Sequence, residues 1–206
     1  MMYLHIASGR NYERFNETNM FVEYAKQNGF PFVKLDALED YSYSKKLIEL
    51  WNKDDIMIIE EDKVPTLDIL HELEICHHPF CSQSYIVTFK VGDGIKTYSA
   101  GGWNRVSSGV GSFYHIPWCF TNYPDKTKIF TDTTDLGLVK ISKSLQEKIK
   151  LQVCKFDVQQ FRISEELTRL GVKVHIHLPT IKHNHIINLT EYPHYINMVN
   201  YDQNKM

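Results

Sequence analysis

The sequence lacks both an excess of positive charge and a long apolar run. Its 23 Lys and Arg residues are slightly outnumbered by 25 Asp and Glu residues, which gives a formal net charge of −2. Lysines scattered without a basic stripe argue against nucleic acid as a partner. Because no apolar segment approaches the roughly 20 residues that a membrane-spanning helix needs, we expect a soluble protein without a membrane span.

Cysteine is also scarce. The chain has four cysteines, Cys76, Cys81, Cys119 and Cys154, which are too few for a disulfide scaffold in a protein of this size. The opening segment Met1–Ala7 is too short to contain the apolar core of a signal peptide with its flanks. Both features favour a reducing compartment, and we expect a cytoplasmic protein.

Strand and helix patterns alternate through the first half of the chain. With 206 residues, of which 43% are hydrophobic, the sequence is most simply one domain, residues 1–206. Strands are predicted at Met2–Ala7, Phe30–Asp36 and Asp55–Ile59, and helices from about Thr18, over Ser42–Asp54 and from Pro65. Three strand–helix units of this kind favour an α/β fold with a parallel sheet covered on both faces.

The second half has a different pattern. Two alternating runs around Gly92, Asp93 and Gly94 predict a hairpin. The glycine- and serine-rich residues 101–113 that follow are typical of a mobile active-site loop. Further elements are predicted as helices over Ser144–Leu151 and Val158–Leu170, the second closed by Gly171, and as a strand over Val172–Leu178. In that strand Lys173, His175 and His177 alternate with four apolar residues, and we expect the three to form its polar face. The apolar residues are Val172, Val174, Ile176 and Leu178.

Three consecutive acids follow the most apolar strand. The run "IMIIEEDKVP" places Glu60, Glu61 and Asp62 directly after four apolar residues and before Pro65. A site in an α/β domain lies beyond the carboxyl ends of its parallel strands. On an extended chain Glu60 and Asp62 point to one side and Glu61 to the other. The cluster is therefore a candidate cation site, with Asp62 as the direct ligand and Glu60 as a ligand or as a contact to ribose or water. The alternative is that these acids are solvated loop residues.

Three segments, taken in order, resemble the landmarks of a GT-A glycosyltransferase. They are "DIMIIEEDKVP", "LGLVKISKSL" and "FDVQQFRISEELTRLGVKVHIHLPTIKHNH", and the resemblance covers roughly residues 2–187. It is strongest to small single-domain members from phages and archaeal viruses. It implies a mainly parallel central sheet flanked by helices, and metal-dependent transfer of a sugar from a nucleotide-diphosphate donor to a glycan or protein acceptor. For a viral protein, the compartment is the host cytoplasm.

The resemblance also divides the chain by function. It implies a nucleotide-binding half over about residues 2–100, and an acceptor side with a metal-completing segment over about 101–187. Residues 188–206 form a tail. In the family, a D-x-D-type motif that ends a central strand binds Mn²⁺ or Mg²⁺ on the donor diphosphate. Glu60 and Asp62 occupy these positions, with glutamate where aspartate is usual.

A histidine near the end of the chain often completes the metal shell in this family. His183 stands at that place, after a strand and a proline, and His185 shares its parity and is the next candidate. Two carboxylates and one imidazole suit Mn²⁺ better than Ca²⁺. Zinc is the rival ion for the histidine-rich segment.

Other roles follow from the order of the family's elements. Ser8, Gly9 and Arg10 follow the first strand and Asp36 ends the second, so that these four residues are expected to contact the nucleoside or, for Arg10, the diphosphate. Trp103 suits stacking on a sugar face. His115 and Trp118 are candidates for the acceptor side, and packing in the core or a loop is an equal alternative for all three aromatic rings.

Asp157 is the candidate catalytic base. In inverting members an aspartate at the start of the helix before the last strand takes the proton of the acceptor hydroxyl. Asp157 has a similar place, although its distance to Gly171 is about one helical turn longer than usual. Its alternative role is that of a helix N-cap or first-turn acid. Glu165 and Glu166 are weaker candidates, and a retaining enzyme needs no such base.

Two other classes of function remain open from the sequence. A sugar-phosphate nucleotidyltransferase shares the nucleotide-binding half, but it carries a glycine-rich, basic phosphate loop for which "SGRN" is too short. A non-catalytic module stabilised by zinc would use the histidines and the cysteines of "CHHPFC", Cys76–Cys81. The spacing of that motif is not the usual C-x2-C, and it resembles a structural cysteine turn of the phage-type relatives.

Overall fold

A mixed β-sheet with helices on both faces forms the centre of the computed structural model. The structure describes residues 1–7, 16–36, 41–91, 94–100, 103–107, 113–117, 129–132, 134, 136–154, 156–183 and 186–188. Its helices are α1 (Asn16–Gln27), α2 (Ser42–Leu50), α3 (Leu67–Ile75), α4 (Lys143–Gln146) and α5 (Phe156–Leu170). Its strands are β1 (Met2–Ala7), β2 (Val33–Asp36), β3 (Ile56–Glu60), β4 (Lys63–Val64), β5 (Phe80–Val91), β6 (Gly94–Ala100), β7 (Trp103–Ser107), β8 (Phe113–Pro117), β9 (Ile129–Thr131), β10 (Leu138–Ile141), β11 (Val174–His183) and β12 (Ile186–Asn188).

The main sheet runs in the order β2-β1-β3-β10-β5-β11-β4, and β6 and β12 pair with β5 while β9 pairs with β11. Strand β1 is parallel to β2 and β3, and β5 is parallel to β11 and β12. Strand β10 is antiparallel to both of its neighbours, β3 and β5. The predicted α/β class is therefore confirmed, but the sheet is mixed rather than mainly parallel, because the second half of the chain adds antiparallel strands to its centre.

The apolar run of β3 is buried on both faces of the sheet. Met57 and Ile59 pack in one core cluster with residues of α1 and α3. Ile56 and Ile58 pack on the opposite face in a second cluster with residues of α2, α4 and α5. A central strand covered on both sides has no polar face, which explains why its four apolar residues follow one another without alternation.

The third helix begins slightly later than predicted. Thr66 is its N-cap, since the Thr66 hydroxyl accepts a hydrogen bond from the Ile69 amide at 3.4 Å, and α3 starts at Leu67. Pro65 thus precedes the cap instead of occupying the first helical turn. The preference of threonine for the N-cap decides the boundary.

The predicted hairpin is present, and the predicted loop after it is partly wrong. Strands β5 and β6 pair from Tyr85 with Ala100 to Val91 with Gly94, while residues 92 and 93 lie outside the described ones. Strands β7 and β8 pair as a second antiparallel hairpin with Trp103 opposite Pro117, so that residues 103–107 of the predicted loop, and its last residue Phe113, are strand. Four of the glycines and serines that suggested a loop fall at residues 108–112, which separate these two strands in the sequence and lie outside the described residues.

Strand β11 extends beyond its predicted end. Its parallel pairing with β5 shifts in register between His177 and Ile181, around Pro179, which has no backbone N–H to donate. The strand nevertheless continues to His183 and pairs there with β4. Of the two helices before β11, α4 ends at Gln146 and so is shorter than predicted. Helix α5 ends before Gly171 as expected, and the φ of Gly171 is +65°, which favours glycine.

Within the described ranges, no helix is both long enough and apolar enough to cross a membrane.

Because Tyr3 and Tyr43 are buried, we expect the fold to lose stability at alkaline pH. The Tyr3 hydroxyl donates a hydrogen bond to Glu74 Oε1 at 2.6 Å, and burial together with this carboxylate raises the pKa of Tyr3 well above its ordinary value. Burial, and then the charge of Glu60, raise the pKa of Tyr43 as well. Above pH ~10 the unfolded chain loses tyrosine protons that the native state keeps, so the free energy of unfolding falls by up to about 1.4 kcal/mol per pH unit for each tyrosine.

Urea unfolding between pH 9 and pH 11 measures this effect. We expect a shallower pH dependence for Tyr3→Phe than for the parent, and no change for Tyr24→Phe, because Tyr24 is an exposed residue of α1. An unchanged slope in Tyr3→Phe would contradict the assignment.

Candidate functional site

The carboxyl ends of three parallel strands meet at one edge of the sheet. In the register of β1 and β2, Ala7 lies opposite Asp36, and in the register of β1 and β3, Ile6 lies opposite Glu60. Asp36 and Glu60 therefore are the last residues of the two strands that flank β1, and they lie at the same edge of the sheet. This is the edge at which the sequence predicts nucleotide and cation binding.

The acidic cluster is a turn and not an extended strand. Strand β3 ends at Glu60, Glu61 and Asp62 form a turn, and β4 begins at Lys63. The prediction that strand alternation orients Glu60 and Asp62 alike is therefore wrong in its premise, because alternation holds only along extended chain. The two carboxylates still converge, since Glu60 Oε2 and Asp62 Oδ1 lie 3.7 and 2.8 Å from Lys63 Nζ.

Lys63 is the functional candidate that sequence reasoning missed. Its side chain is only 2% exposed, and its ammonium lies 4.4 Å from the centre of the Tyr85 ring. A lysine is almost never buried unless it is paired. Its two acidic neighbours and the aromatic ring supply that pairing. The signal available in the sequence was the position of Lys63 between three acids and a valine–proline pair. If the turn were only solvated, its lysine would be exposed.

Glu60 is held from the opposite side by α5. The Gln160 side-chain amide donates a hydrogen bond to Glu60 Oε1 at 2.9 Å. The charge of Glu60 also contributes to the raised pKa of Tyr43 in α2. The hydrogen bond with Gln160 thus ties the end of β3 to α5 and holds one carboxylate of the site. Gln160 was not predicted from the sequence.

The end of β11 returns to the acidic turn. In the antiparallel pairing of β11 with β4, Lys182 lies opposite Val64 and His183 lies opposite Lys63. The backbone of His183 therefore lies next to Lys63, the residue that follows Asp62. A metal site with ligands from both segments requires this proximity. The His183 side chain is outside the described part of the structure, and so is all of His185, so that their role as ligands stays a prediction.

The first turn of α5 lies at the same edge. Asp157 is the second residue of α5, and Gln160, one helical turn later, reaches Glu60. Its placement at the start of the helix before β11 agrees with the sequence prediction. The side chain of Asp157 is not described, so its role as a base stays a prediction.

The remaining predicted site residues are not tested by the structure. Ser8, Gly9 and Arg10 lie outside the described residues, just beyond the end of β1. Asp36 ends β2, Trp103 begins β7 and His115 lies in β8, but their side chains are not described. Trp118 is outside the described ranges as well.

The donor set of the acidic turn suits a divalent cation. Two carboxylates within reach of one ammonium are hard oxygen donors, which Mn²⁺ and Mg²⁺ prefer. Lys63 already places a positive charge between them, and its 2.8 Å contact with Asp62 Oδ1 uses one of the oxygens that a metal would take. A metal bound by Asp62 therefore has Lys63 as a direct neighbour and competitor.

A second cluster lies away from the acidic turn and changes the interpretation of two histidines. His175, expected on a polar strand face, is buried and lies beside a disulfide between Cys76 and Cys81. His177 is half-buried next to it. The alternation of β11 is as predicted, because Val174 and Ile176 pack in the opposite core cluster, but both faces of this strand are covered.

Comparison with known proteins gives no family assignment. No protein-family model matches the chain, and no curated protein matches it. Among solved structures, the crystal structure of A197 from STIV is 14% identical, with a TM-score of 0.47 over 88% of this chain and 83% of that one. A putative glucose-1-phosphate thymidylyltransferase from Bacillus anthracis, in complex with a sucrose, is 9% identical, with a TM-score of 0.37 over 86% and 68%. Both TM-scores are below 0.5, and neither similarity identifies a family or an activity for this chain.

Proposed function

We propose that the chain is a GT-A-type glycosyltransferase that transfers a sugar from a nucleotide-diphosphate donor to a glycan or protein acceptor with Mn²⁺ or Mg²⁺. One observation carries the proposal. The acidic turn at the end of β3 and the end of β11, which are separated by some 120 residues of sequence, are joined through the pairing of Lys63 with His183. Lys63 and His183 lie beside the carboxyl ends of the parallel strands, where α/β domains bind their ligands.

The residues at and around the acidic turn each have a role in this proposal. Asp62, Glu60 and His183 would hold the metal, and a metal bound there would neutralise negative charge that develops on the departing diphosphate. The Lys63 ammonium adds a fixed positive charge at the same place. Gln160 keeps Glu60 in position through its hydrogen bond, so that the donor meets a preformed carboxylate.

The undescribed side chains complete the donor and acceptor sides. Asp36 and the segment Ser8–Arg10 would contact the nucleoside and the diphosphate beyond β2 and β1. Trp103 would stack on a sugar ring. If transfer inverts the anomeric carbon, Asp157 takes the proton of the attacking acceptor hydroxyl.

Two alternative functions predict different binding properties from those of a glycosyltransferase. A nucleotidyltransferase would use the same edge, but it would bind a nucleoside triphosphate through a basic phosphate loop that "SGRN" does not provide. A non-catalytic module stabilised by zinc is favoured by the four-residue cluster of cysteines and histidines, and predicts no nucleotide binding at all.

A thermal-shift screen of nucleoside diphosphates, with and without Mn²⁺, tests the proposal. A ligand that binds only the native state raises Tm, and we expect at least one nucleoside diphosphate to do so only when Mn²⁺ is present. A rise that does not need the metal would support the nucleotide site and contradict the metal requirement. No rise with any nucleotide would contradict the proposal.

Asp62→Asn should weaken Mn²⁺-dependent binding of that nucleoside diphosphate by about tenfold or more, because it removes a charged metal ligand. Glu61→Gln is the matched control, and we expect an unchanged affinity. Titration calorimetry measures both. Since Asp62 also pairs with Lys63, unfolding of the unliganded variants is measured alongside. Equal losses of affinity in the two variants would contradict the assignment of Asp62.

A further inference from the structure

Four metal-binding side chains from three elements meet in the interior, away from the acidic turn. Cys76 caps the end of α3, Cys81 is the second residue of β5, and His175 and His177 lie two positions apart on β11. In the parallel pairing of β11 with β5, His175 lies opposite Cys81. Their sulfur and ring nitrogen atoms all lie within 4.8 Å of one another.

The separations approach those of a tetrahedral zinc site. Zinc–sulfur bonds of about 2.3 Å and zinc–nitrogen bonds of about 2.0 Å place neighbouring ligand atoms roughly 3.3 to 3.8 Å apart in a tetrahedron. Cys76 Sγ is 3.4 Å from His175 Nδ1. Side-chain rotations of modest size would therefore bring all four atoms around one ion.

The disulfide itself occupies an unusual spacing. The Cα atoms of Cys76 and Cys81 are 7.0 Å apart, at the outer limit of the distance that a disulfide spans. The backbone therefore holds the two cysteines near each other, but at a Cα separation larger than that of most disulfides. A metal ion between two thiolates requires less close approach of the sulfurs than a covalent bond does.

The surroundings suit a closed structural site. Cys81 is fully buried, Cys76 and His175 are 8% and 6% exposed, and His177 is half-buried, so three of the four ligands are shielded from water, as in a structural zinc site. The His175 ring packs against the rings of His78 and Phe130, with ring centres 4.3 and 5.2 Å away, and those two rings also contact each other. The buried Lys140 ammonium donates hydrogen bonds to the carbonyl oxygens of Glu74 and Cys76, so a positive charge lies beside the position of the thiolates.

We propose that reduced Cys76 and Cys81, together with His175 and His177, bind one Zn²⁺, and that the disulfide is the oxidised, metal-free form of the same site. A dithiol reductant gives two electrons to the disulfide and is itself oxidised, and the two cysteines take up two protons. Binding of Zn²⁺ to the two thiols and two neutral imidazoles then releases those two protons. The ion ties the end of α3 to β5 and β11. This site does not depend on the proposed glycosyl transfer.

Zinc content of the reduced protein tests the proposal. The full chain is reduced anaerobically with a phosphine, incubated with Zn²⁺, dialysed against a weak chelator and analysed by mass spectrometry for metal. We expect one zinc per chain in the reduced parent and none after reoxidation. Absence of zinc from the folded, reduced parent would overturn the proposal.

Variants separate a built site from adventitious binding. His177→Asn and the pair Cys76→Ser with Cys81→Ser should each lose zinc, while His71→Asn, which changes an exposed histidine of α3, should keep it. Circular dichroism checks that each variant folds. Equal zinc retention by the parent and by the double serine variant would overturn the proposal.

Cobalt gives a readout that needs no variant. Co²⁺ in a tetrahedral site with two thiolates has intense visible and near-ultraviolet bands that octahedral Co²⁺ lacks. We expect these bands when Co²⁺ is added to the reduced parent, and their loss when Zn²⁺ displaces it. Only the weak spectrum of octahedral Co²⁺ would contradict tetrahedral coordination by the two cysteines.

Discussion

Lys63→Met should lower the free energy of unfolding by about 3 kcal/mol. The ammonium is buried, and it pairs with Asp62 at 2.8 Å and with Glu60 at 3.7 Å. Removal of one member of a buried ion pair costs about 3 to 5 kcal/mol, because the partner charges are left without compensation. We expect the lower end of that range, since both carboxylates keep some contact with water. Urea denaturation at neutral pH measures the change.

A double variant and a surface control make this result specific. Lys63→Met combined with Asp62→Asn should recover part of the loss, because the second change removes one uncompensated charge. Lys46→Met breaks an exposed pair with Glu49 in α2 and should cost less than about 1 kcal/mol. A loss in Lys63→Met no larger than that in Lys46→Met would contradict the structural role given to Lys63.

If transfer inverts the anomeric carbon, Asp157→Asn should lower the rate of sugar transfer by about 10²- to 10⁴-fold, with the affinity for the donor almost unchanged. This is the usual contribution of a general base that acts in the transition state. Glu72→Gln, which changes an exposed carboxylate of α3, is the control and should transfer at the parent rate. Steady-state kinetics with a saturating donor separates the two outcomes. A parent rate in Asp157→Asn would exclude this residue as the base.

The local elements could be predicted from the sequence because their causes are local. The unbroken apolar run of β3 indicates burial on both faces, and the two cores confirm it. The turn glycines between β5 and β6 indicate a hairpin, and Gly171 indicates the end of α5. In each case the signal lies within the segment that it describes.

The contacts between distant segments could not be predicted in the same way. Nothing in Lys63 or His183 alone indicates that β4 and β11 pair, since a two-residue strand has no periodicity to detect. The contact of Cys76 with His175 joins residues 99 positions apart. The sequence left a structural turn and a zinc site as alternatives for the two cysteines, and it did not indicate which histidines lie beside them. The alternation rule failed at Asp62 for a different reason, because β3 ends two residues earlier.

The identity of the phosphate product tests the proposed function most directly. Purified protein is incubated with a panel of nucleotide sugars and Mn²⁺, and phosphorus NMR follows the donor. Even without an acceptor, slow transfer to water should release a nucleoside diphosphate and free sugar, and Asp62→Asn should abolish this release. The proposal would be contradicted if no nucleotide sugar yields a nucleoside diphosphate while a nucleoside triphosphate and a sugar 1-phosphate yield pyrophosphate, which is the product of a nucleotidyltransferase.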